Sequence, residues 1–407
     1  MGEHPVRNGK VTGSNPVCSM VNMKTDNFFL KTYRKYSTAF VKGDGKYLYD
    51  DKGNKYLDFF SGLSVCNLGY NDKKLLDTLI HQAKLLWHCS NLFYSFPQQE
   101  LAKLIIKKTF PAKVFFSNSG AEANECAIKL VRKYGSKTNR YEIITFKNSF
   151  HGRTIATLTA TGQKKIQKGF NPLLKGFKYA KYNDINSVKK LINKHTIAIM
   201  LEPIQGEGGV VPAEQKFLKE IRILCNERKL ILIFDEIQTG FGRTGEFFAY
   251  QYYKVKPDII TLAKSIANGM PLAATIVDKK YADVFDYGDH GSTFGGNLLA
   301  CAVATEVIKK IDYKLLSNVK MVGEYFYSKL IELKNKYKFI TSVRGVGLML
   351  GMELDFPCRN VVEKCLQKGL IINVTQEKVL RFLPPLIITK TDVDNTIKIL
   401  DNVLKEI

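Results

Sequence analysis

Between about residue 98 and residue 306 the chain alternates short apolar runs with amphipathic stretches. VFFS (114–117), EIITF (142–146), AIMLE (198–202), LILIFDE (230–236), DIITLAK (258–264) and AATIV (273–277) predict strands. Most of these runs are continuously apolar, not alternating, which predicts burial on both faces of a mainly parallel sheet. Helical stretches such as 120–130 and 214–227 fall between them. Together they predict a three-layer α/β domain. After about residue 306 the pattern changes to helices joined by SVRGVGLMLGMEL and VLRFLPPL, which predicts a separate, smaller α+β domain. Segment 43–60, GDGKYLYDDKGNKYLDFF, reads as a small hairpin with Gly, Asp and Asn at its turn. Residues 1–22 are rich in Gly, Asn, Pro and Val without periodicity and are expected to be disordered.

Composition narrows the class. At 45% hydrophobic and 24% charged residues the chain is an ordinary globular protein. No apolar run approaches the ~18 residues of a membrane helix, and the N-terminus lacks the apolar stretch of a secretory signal. The expectation is a cytoplasmic protein without a membrane partner. The eight cysteines are scattered singly, no CxxC occurs, and the six histidines lack metal-ligand spacing. Reduced, buried thiols and no metal are expected. The net charge of +23 raises the question of nucleic acid. However, residues 1–22 hold only two basic and one acidic side chain, so 59 basic groups face 37 acidic ones in the body. With 50 Lys, 11 Arg and no run of five like charges, a solvated Lys-rich surface accounts for the excess. Arg is scarce, so each one is a candidate for work that only a planar fork can do.

The charged groups fall where an open α/β sheet binds ligands, at the C-terminal strand ends. LILIF runs into Asp235 and Glu236, and DIITLA runs into Lys264. A lysine ending an apolar strand is a candidate for a desolvated, Schiff-base-forming amine, or it reaches past the strand to solvent. SNSGAEANE places Gly120 and Ala121 at a strand-to-helix turn, either an anion site at a helix N-terminus or an ordinary tight turn. In SFHGRT, Phe150 suits stacking on a flat ring or core packing. His151 suits a hydrogen bond near that ring or a satisfied core position, and Arg153 suits a carboxylate. LEPIQGEGGV brings Glu202 and Glu207 to another strand end, and GDHGSTFGGN holds small and hydroxyl residues suited to a phosphate.

In order, SGAEANE, SFHGRT, EPIQGEGGV, DEIQTGFGRTG, the lysine of TLAKSIANGMP, GSTFGGN and RFLPPL resemble the class III, ornithine-type aminotransferases of fold type I. The resemblance runs from about residue 24 to the C-terminus. It implies a large domain over 71–305, with 23–70 joining a small domain over 306–407. It also implies that 1–22 is a non-native start, with Met20 and Met23 as alternative starts. By resemblance, Lys264 carries pyridoxal 5′-phosphate as a Schiff base and Asp235 faces the pyridine nitrogen. Gln238 approaches the phenolic oxygen and Phe150 stacks on the ring, with His151 and Glu202 beside the cofactor. Gly120 and Ala121 give amides to the phosphate. Thr293 binds the phosphate of the neighbouring subunit, so a homodimer is implied. Arg153 and Ser292 meet substrate, Arg381 takes an α-carboxylate, and Glu207 pairs with Arg381 while the amine donor is bound. Within the family, EGGV, FGRTG and GDHGSTFGGN look most like the branch that moves the amino group of N-acetylornithine to 2-oxoglutarate. Ornithine, succinyldiaminopimelate and 4-aminobutyrate are the alternative donors. Tyr70 and Leu298 stand where His and Pro are usual. The reading from another class is a basic nucleic-acid-binding protein on an inactive enzyme fold, against which Lys264 and Asp235 stand intact.

Overall fold

The computed structural model describes residues 28–407. The expectations for 1–22 lie outside the described residues. Of these, residues 28–38 belong to one unit and Ala39–Ile407 form the other. In the first, Lys35 lies over the Phe29 ring at 4.0 Å.

In the second unit the chain opens with strands β1 (Phe40–Asp44), β2 (Tyr47–Asp50) and β3 (Lys55–Asp58). The expected hairpin over 43–60 is thus a three-stranded meander. The central strands follow: β4 (Ala112–Ser117), β5 (Glu142–Phe146), β6 (Phe177–Ala180) and β7 (Thr196–Leu201). A short pair, β8 (Ile204–Gln205) and β9 (Val211–Pro212), precedes β10 (Ile231–Asp235), β11 (Ile259–Leu262) and β12 (Ala273–Asp278). The seven-stranded sheet has the order β4-β12-β11-β10-β7-β5-β6. Six of the strands run in one direction and β12 alone runs against them.

The apolar runs explain the layers. Alternate residues of β5, β7 and β10 point to opposite faces. Ile144, Leu201, Leu232 and Phe234 pack on Phe217, Leu218 and Ile221 of the helix Gln215–Arg228. Ile143, Met200, Ile231 and Ile233 pack on Ala127, Ile128 and Val131 of the helix Gly120–Ser136. With helices on both faces this is the expected three-layer α/β arrangement of fold type I.

Strands β13 (Ile340–Val346), β14 (Met349–Leu354), β15 (Leu370–Ile371), β16 (Asn373–Thr375) and β17 (Val379–Phe382) complete the chain. A C-terminal sheet runs β13-β14-β17-β16, and β15 pairs parallel with β3. Leu57 and Phe59 share a core with Phe326, Leu350 and Phe382, so the N-terminal strands pack with the C-terminal segment. The change of pattern read near 306 falls inside the helix Leu298–Lys310, whose Val303, Val307 and Ile308 pack in the same core as Ile260 and Ile276 of the central sheet. Leu298 is the first residue of that helix, after the Asn297 N-cap. That position tolerates proline or leucine equally, because its amide has no partner in the helix.

Candidate active site

The C-terminal strand ends open on a cavity of about 430 Å³. Gly120, Ala121, Phe150, His151, Arg153, Glu202, Glu207, Asp235, Gln238 and Lys264 all line it. Sequence reasoning had placed each at this site, although they come from five separate stretches of chain.

Lys264 follows β11 and starts a short 3-10 turn, Lys264–Ala267, with φ at +50°. A non-glycine residue in this left-handed region is uncommon and marks a backbone held by its surroundings. Part of the hold is Asn268. Its Oδ1 accepts from the Leu68 amide at 2.8 Å and its Nδ2 donates to the Gly69 carbonyl at 3.0 Å. Burial, helped by the Arg381 charge, pushes the Lys264 amine below its ordinary value, against the pull of Glu207, Asp235 and Glu202. A lowered amine pKa enlarges the neutral, nucleophilic fraction. The lysine faces the cavity and does not extend past the strand to bulk solvent.

Asp235 ends β10 and is almost fully buried. Its Oδ2 accepts from Asn124 Nδ2 and lies beside His151 Nδ1, both at 2.8 Å, and Oδ1 accepts from the Ile237 amide at 3.1 Å. Three partners fix its orientation. His151 therefore stands behind Asp235, while its Nε2 has no partner among the described residues. Asn124 also donates to the His151 carbonyl at 2.7 Å. It escaped sequence reasoning because SGAEANE was read only for its turn. Its position four residues after Gly120, on the same helix face, was the available signal.

The helix Gly120–Ser136 starts at the cavity. Ser119 caps the Glu122 amide, while the Gly120 and Ala121 amides find no acceptor among the described residues. A Cβ at residue 120 would stand 2.7 Å from Ile237 Cδ1, so any larger residue would have to displace that side chain. Two free amides at the positive end of a helix form an anion site.

Glu202 accepts from the amides of Phe150 (2.9 Å) and Gly206 (3.2 Å). Burial, with the Asp235 charge, pushes its carboxyl well above the usual range. Gln238 Oε1 is buried and without a partner. Arg153 is exposed, with its guanidinium 5.4 Å from the centre of the Phe150 ring, and it pairs with no carboxylate among the described residues.

Glu207 and Arg381 are paired at 2.6 Å. Arg381, on β17, is buried and also donates to Asn373 Oδ1 through Nε (3.1 Å) and Nη2 (2.6 Å). Burial alone would raise the Glu207 carboxyl, but the Arg381 charge and hydrogen bond outweigh it, and its pKa is lowered. Asn373 was missed as well; only the register between β16 and β17, which sets Asn373 opposite Arg381, identifies it.

Two residues stand apart. Ser292 does not line the cavity. Its Oγ accepts from Asn118 Nδ2 (3.2 Å), and Asn118 does line it. Thr293 is exposed and outside the cavity of its own chain. Tyr70 donates to the buried Asp58 at 2.6 Å, away from the cavity, so this departure from the usual residue leaves the site intact.

The set fits a flat, phosphorylated ring. Free amides and a helix end would suit a phosphate, an aromatic side chain a ring face, a buried carboxylate a ring nitrogen, and an amine a carbonyl. Gln238 Oε1 and the two amides, unpartnered among the described residues, are the groups such a ligand would satisfy.

A family model for class III aminotransferases matches residues 29–404. The chain is 49% identical over 385 residues to the acetylornithine aminotransferase of Caldanaerobacter subterraneus subsp. tengcongensis, covering 93% of this chain and 98% of that protein. It is 47% identical to that of Methanocaldococcus jannaschii, at 93% and 96% coverage. Among solved structures, the ornithine aminotransferase of Toxoplasma gondii superimposes with a TM-score of 0.89 at 33% identity, covering 93% of this chain and 94% of the other. The N-acetylornithine aminotransferase of Stenotrophomonas maltophilia does so with 0.80 at 36% identity, covering 91% and 96%. Likeness at this level over nearly the whole of both chains, on a fold whose strand ends gather these groups, places the chain in the class III aminotransferases.

Proposed function

We propose that this aminotransferase uses pyridoxal 5′-phosphate to move the δ-amino group of N-acetylornithine to 2-oxoglutarate, giving N-acetylglutamate 5-semialdehyde and glutamate. The observation that carries the reading is the Lys264 amine, its pKa lowered by burial, sharing one cavity with the fixed carboxylate of Asp235. Support for the donor comes from relatives named acetylornithine aminotransferase at 41–49% identity.

Bound pyridoxal phosphate supplies an electron sink for the charge left when a proton leaves the amine-bearing carbon. Lys264 Nζ would hold the cofactor covalently and would serve as the general base and acid that moves that proton. Asp235, fixed by His151, Asn124 and the Ile237 amide, opposes the ring nitrogen and keeps it protonated. The Gly120 and Ala121 amides hold the phosphate, Gln238 meets the phenolic oxygen, and Phe150 covers a ring face. Arg153 holds the carboxylate far from the reacting centre in both half-reactions. Arg381 takes the carboxylate next to the keto group of 2-oxoglutarate. Glu207 covers Arg381 while the donor, which has no carboxylate at that place, is bound, and swings away for the acceptor.

The active form is a cytoplasmic homodimer in which Thr293 completes the neighbouring subunit's site, while Ser292 meets substrate. In favour of this, Thr293 sits beside a broad exposed apolar surface. Leu92, Phe93, Tyr94 and Phe96 are 68–95% exposed, with Trp87 and Phe294 next to them. Patches of this kind mark interfaces.

Purified enzyme assayed with N-acetylornithine, ornithine, succinyldiaminopimelate and 4-aminobutyrate as donors tests the assignment. N-Acetylornithine is expected to give the highest kcat/KM. A higher value for another donor would overturn the substrate while leaving the reaction in place.

A further inference from the structure

The turn Gly206–Val210, which carries Glu207, is held by the C-terminal sheet. Thr375 Oγ1 and Gln376 Nε2 donate to the Glu207 carbonyl at 2.7 and 2.8 Å. Arg344 on β13 donates through Nε to the Gly209 carbonyl at 2.8 Å. Arg344 is itself fixed, its Nη1 lying 2.5 Å from both Ser342 Oγ and Glu353 Oε2. Val210 is buried at a φ of +53°, a conformation that β-branched residues avoid. It fits only because residue 351 on β14 is glycine, where a Cβ would come within 2.9 Å of the Val210 Cβ. The same sheet presents Arg381, on β17, to the Glu207 side chain. A strained backbone next to a functional carboxylate persists only where its surroundings over-determine it.

We infer that Arg344 is a positioning residue for substrate discrimination. By tethering the Gly209 carbonyl it keeps the Glu207 backbone stationary relative to Arg381, so the pair opens and closes by side-chain rotation alone. This rests on the reading of Glu207 as a movable cover for Arg381. On a loosened turn the carboxylate covers Arg381 for only part of the time. Donors with a carboxylate beside the amine then gain and N-acetylornithine loses, while the proton transfer at Lys264 is untouched.

The test is the pair of half-reaction rates for glutamate and N-acetylornithine, read from the cofactor absorbance of the holoenzyme. It compares the native chain, Arg344→Met, Glu207→Ala and the double variant. Arg344→Met is expected to raise the glutamate-to-N-acetylornithine ratio about tenfold, the scale of one hydrogen bond to a charged group. On the Glu207→Ala background the same change should leave the ratio where it is, because the tether then has no carboxylate to position. Arg344→Lys keeps one donor but not the fork and should fall between. Gln376→Ala removes an exposed tether and should shift the ratio in the same direction even if Arg344→Met folds poorly. Equal losses of both rates in Arg344→Met, or a ratio change of the same size on both backgrounds, would overturn the inference. An unchanged ratio in Glu207→Ala would overturn the cover itself, whereas a change there but not in Arg344→Met or Gln376→Ala would remove only the tether.

Discussion

At the scale of single residues, two side chains divide the work. Lys264→Ala removes both the covalent link and the proton carrier. The variant is expected to lose the visible cofactor band and several orders of magnitude in turnover while keeping its far-ultraviolet circular dichroism. Near-normal turnover would mean that another lysine does the chemistry. Glu207→Ala should leave the Arg381 charge uncovered, and a buried guanidinium without its carboxylate is costly. Glutamate is then expected to react faster and N-acetylornithine more slowly, seen in the separate half-reactions. A common factor on both rates would make Glu207 merely structural. Lys264 and Asp235 were legible because an ionisable residue ending an apolar strand is conspicuous in any sequence. Asn124 and Asn373 were not, since their partners, Asp235 and Arg381, are set by tertiary approach and strand register. His151 was read as standing beside the ring, whereas the fold sets it behind Asp235, a partner the sequence does not reveal.

At the scale of elements, the segment after β3 is the least regular part of the site. Ser61, Gly62, Leu63 and Ser64 all have φ between +45° and +75°, a left-handed turn that costs about 1–2 kcal/mol per non-glycine residue. Arg243 holds it together. Fully buried, it donates to Ser64 Oγ (3.0 Å), to the Leu348 (3.0 Å) and Pro384 (2.5 Å) carbonyls, and to Asn67 Oδ1. One guanidinium thus ties the N-terminal segment to the C-terminal one, and Arg243→Met should destabilise the protein by about 3 kcal/mol or more through orphaned acceptors. Urea unfolding measures it, and a loss under 1 kcal/mol would refute the role. Glu236 is the second buried device. It accepts from the Ala249 and Tyr250 amides at 2.6 and 2.8 Å, yet burial pushes its carboxyl from 4.5 up to about 7. With the folded value above the unfolded one, its contribution is fully present below pH 4.5 and is lost as the pH rises through about 7. Relative to Glu236→Gln, the native chain should lose roughly 3 kcal/mol across that window, and a pH-independent difference in unfolding free energy would show the shift to be absent. Neither device was legible. The scarcity of arginine made every Arg a candidate without distinguishing Arg243, whose acceptors lie far away in sequence. The hairpin read over 43–60 covers only β2 and β3 in full, because β1 begins at Phe40, ahead of that segment.

For the whole molecule, the alternation of strand and helix signals was enough to read the three-layer sheet, whereas the reversed direction of β12 was not. AATIV is an apolar run that packs equally well in either sense, and only its place between β4 and β11 decides. Assembly is testable by mixing inactive chains. On the proposed assembly, Thr293→Asp would put a negative charge against the phosphate in the neighbouring site, and Lys264→Ala would disable its own. A mixed dimer of the two should contain one intact site, with Lys264 from one chain and Thr293 from the other. Activity that reappears on refolding the two together, but not on mixing the folded homodimers, is the expected result. No recovery would place Thr293 outside the neighbour's site.

The unpartnered amides of Gly120 and Ala121 have a consequence for the life of the protein in its cell. Whatever anion they hold binds the folded chain alone, because no helix N-terminus exists in the unfolded one. A ligand of that kind adds about 2.7 kcal/mol of stability at a hundredfold excess over its Kd. Vitamin supply would then set how much of this enzyme survives proteolysis, as well as how much of it is active.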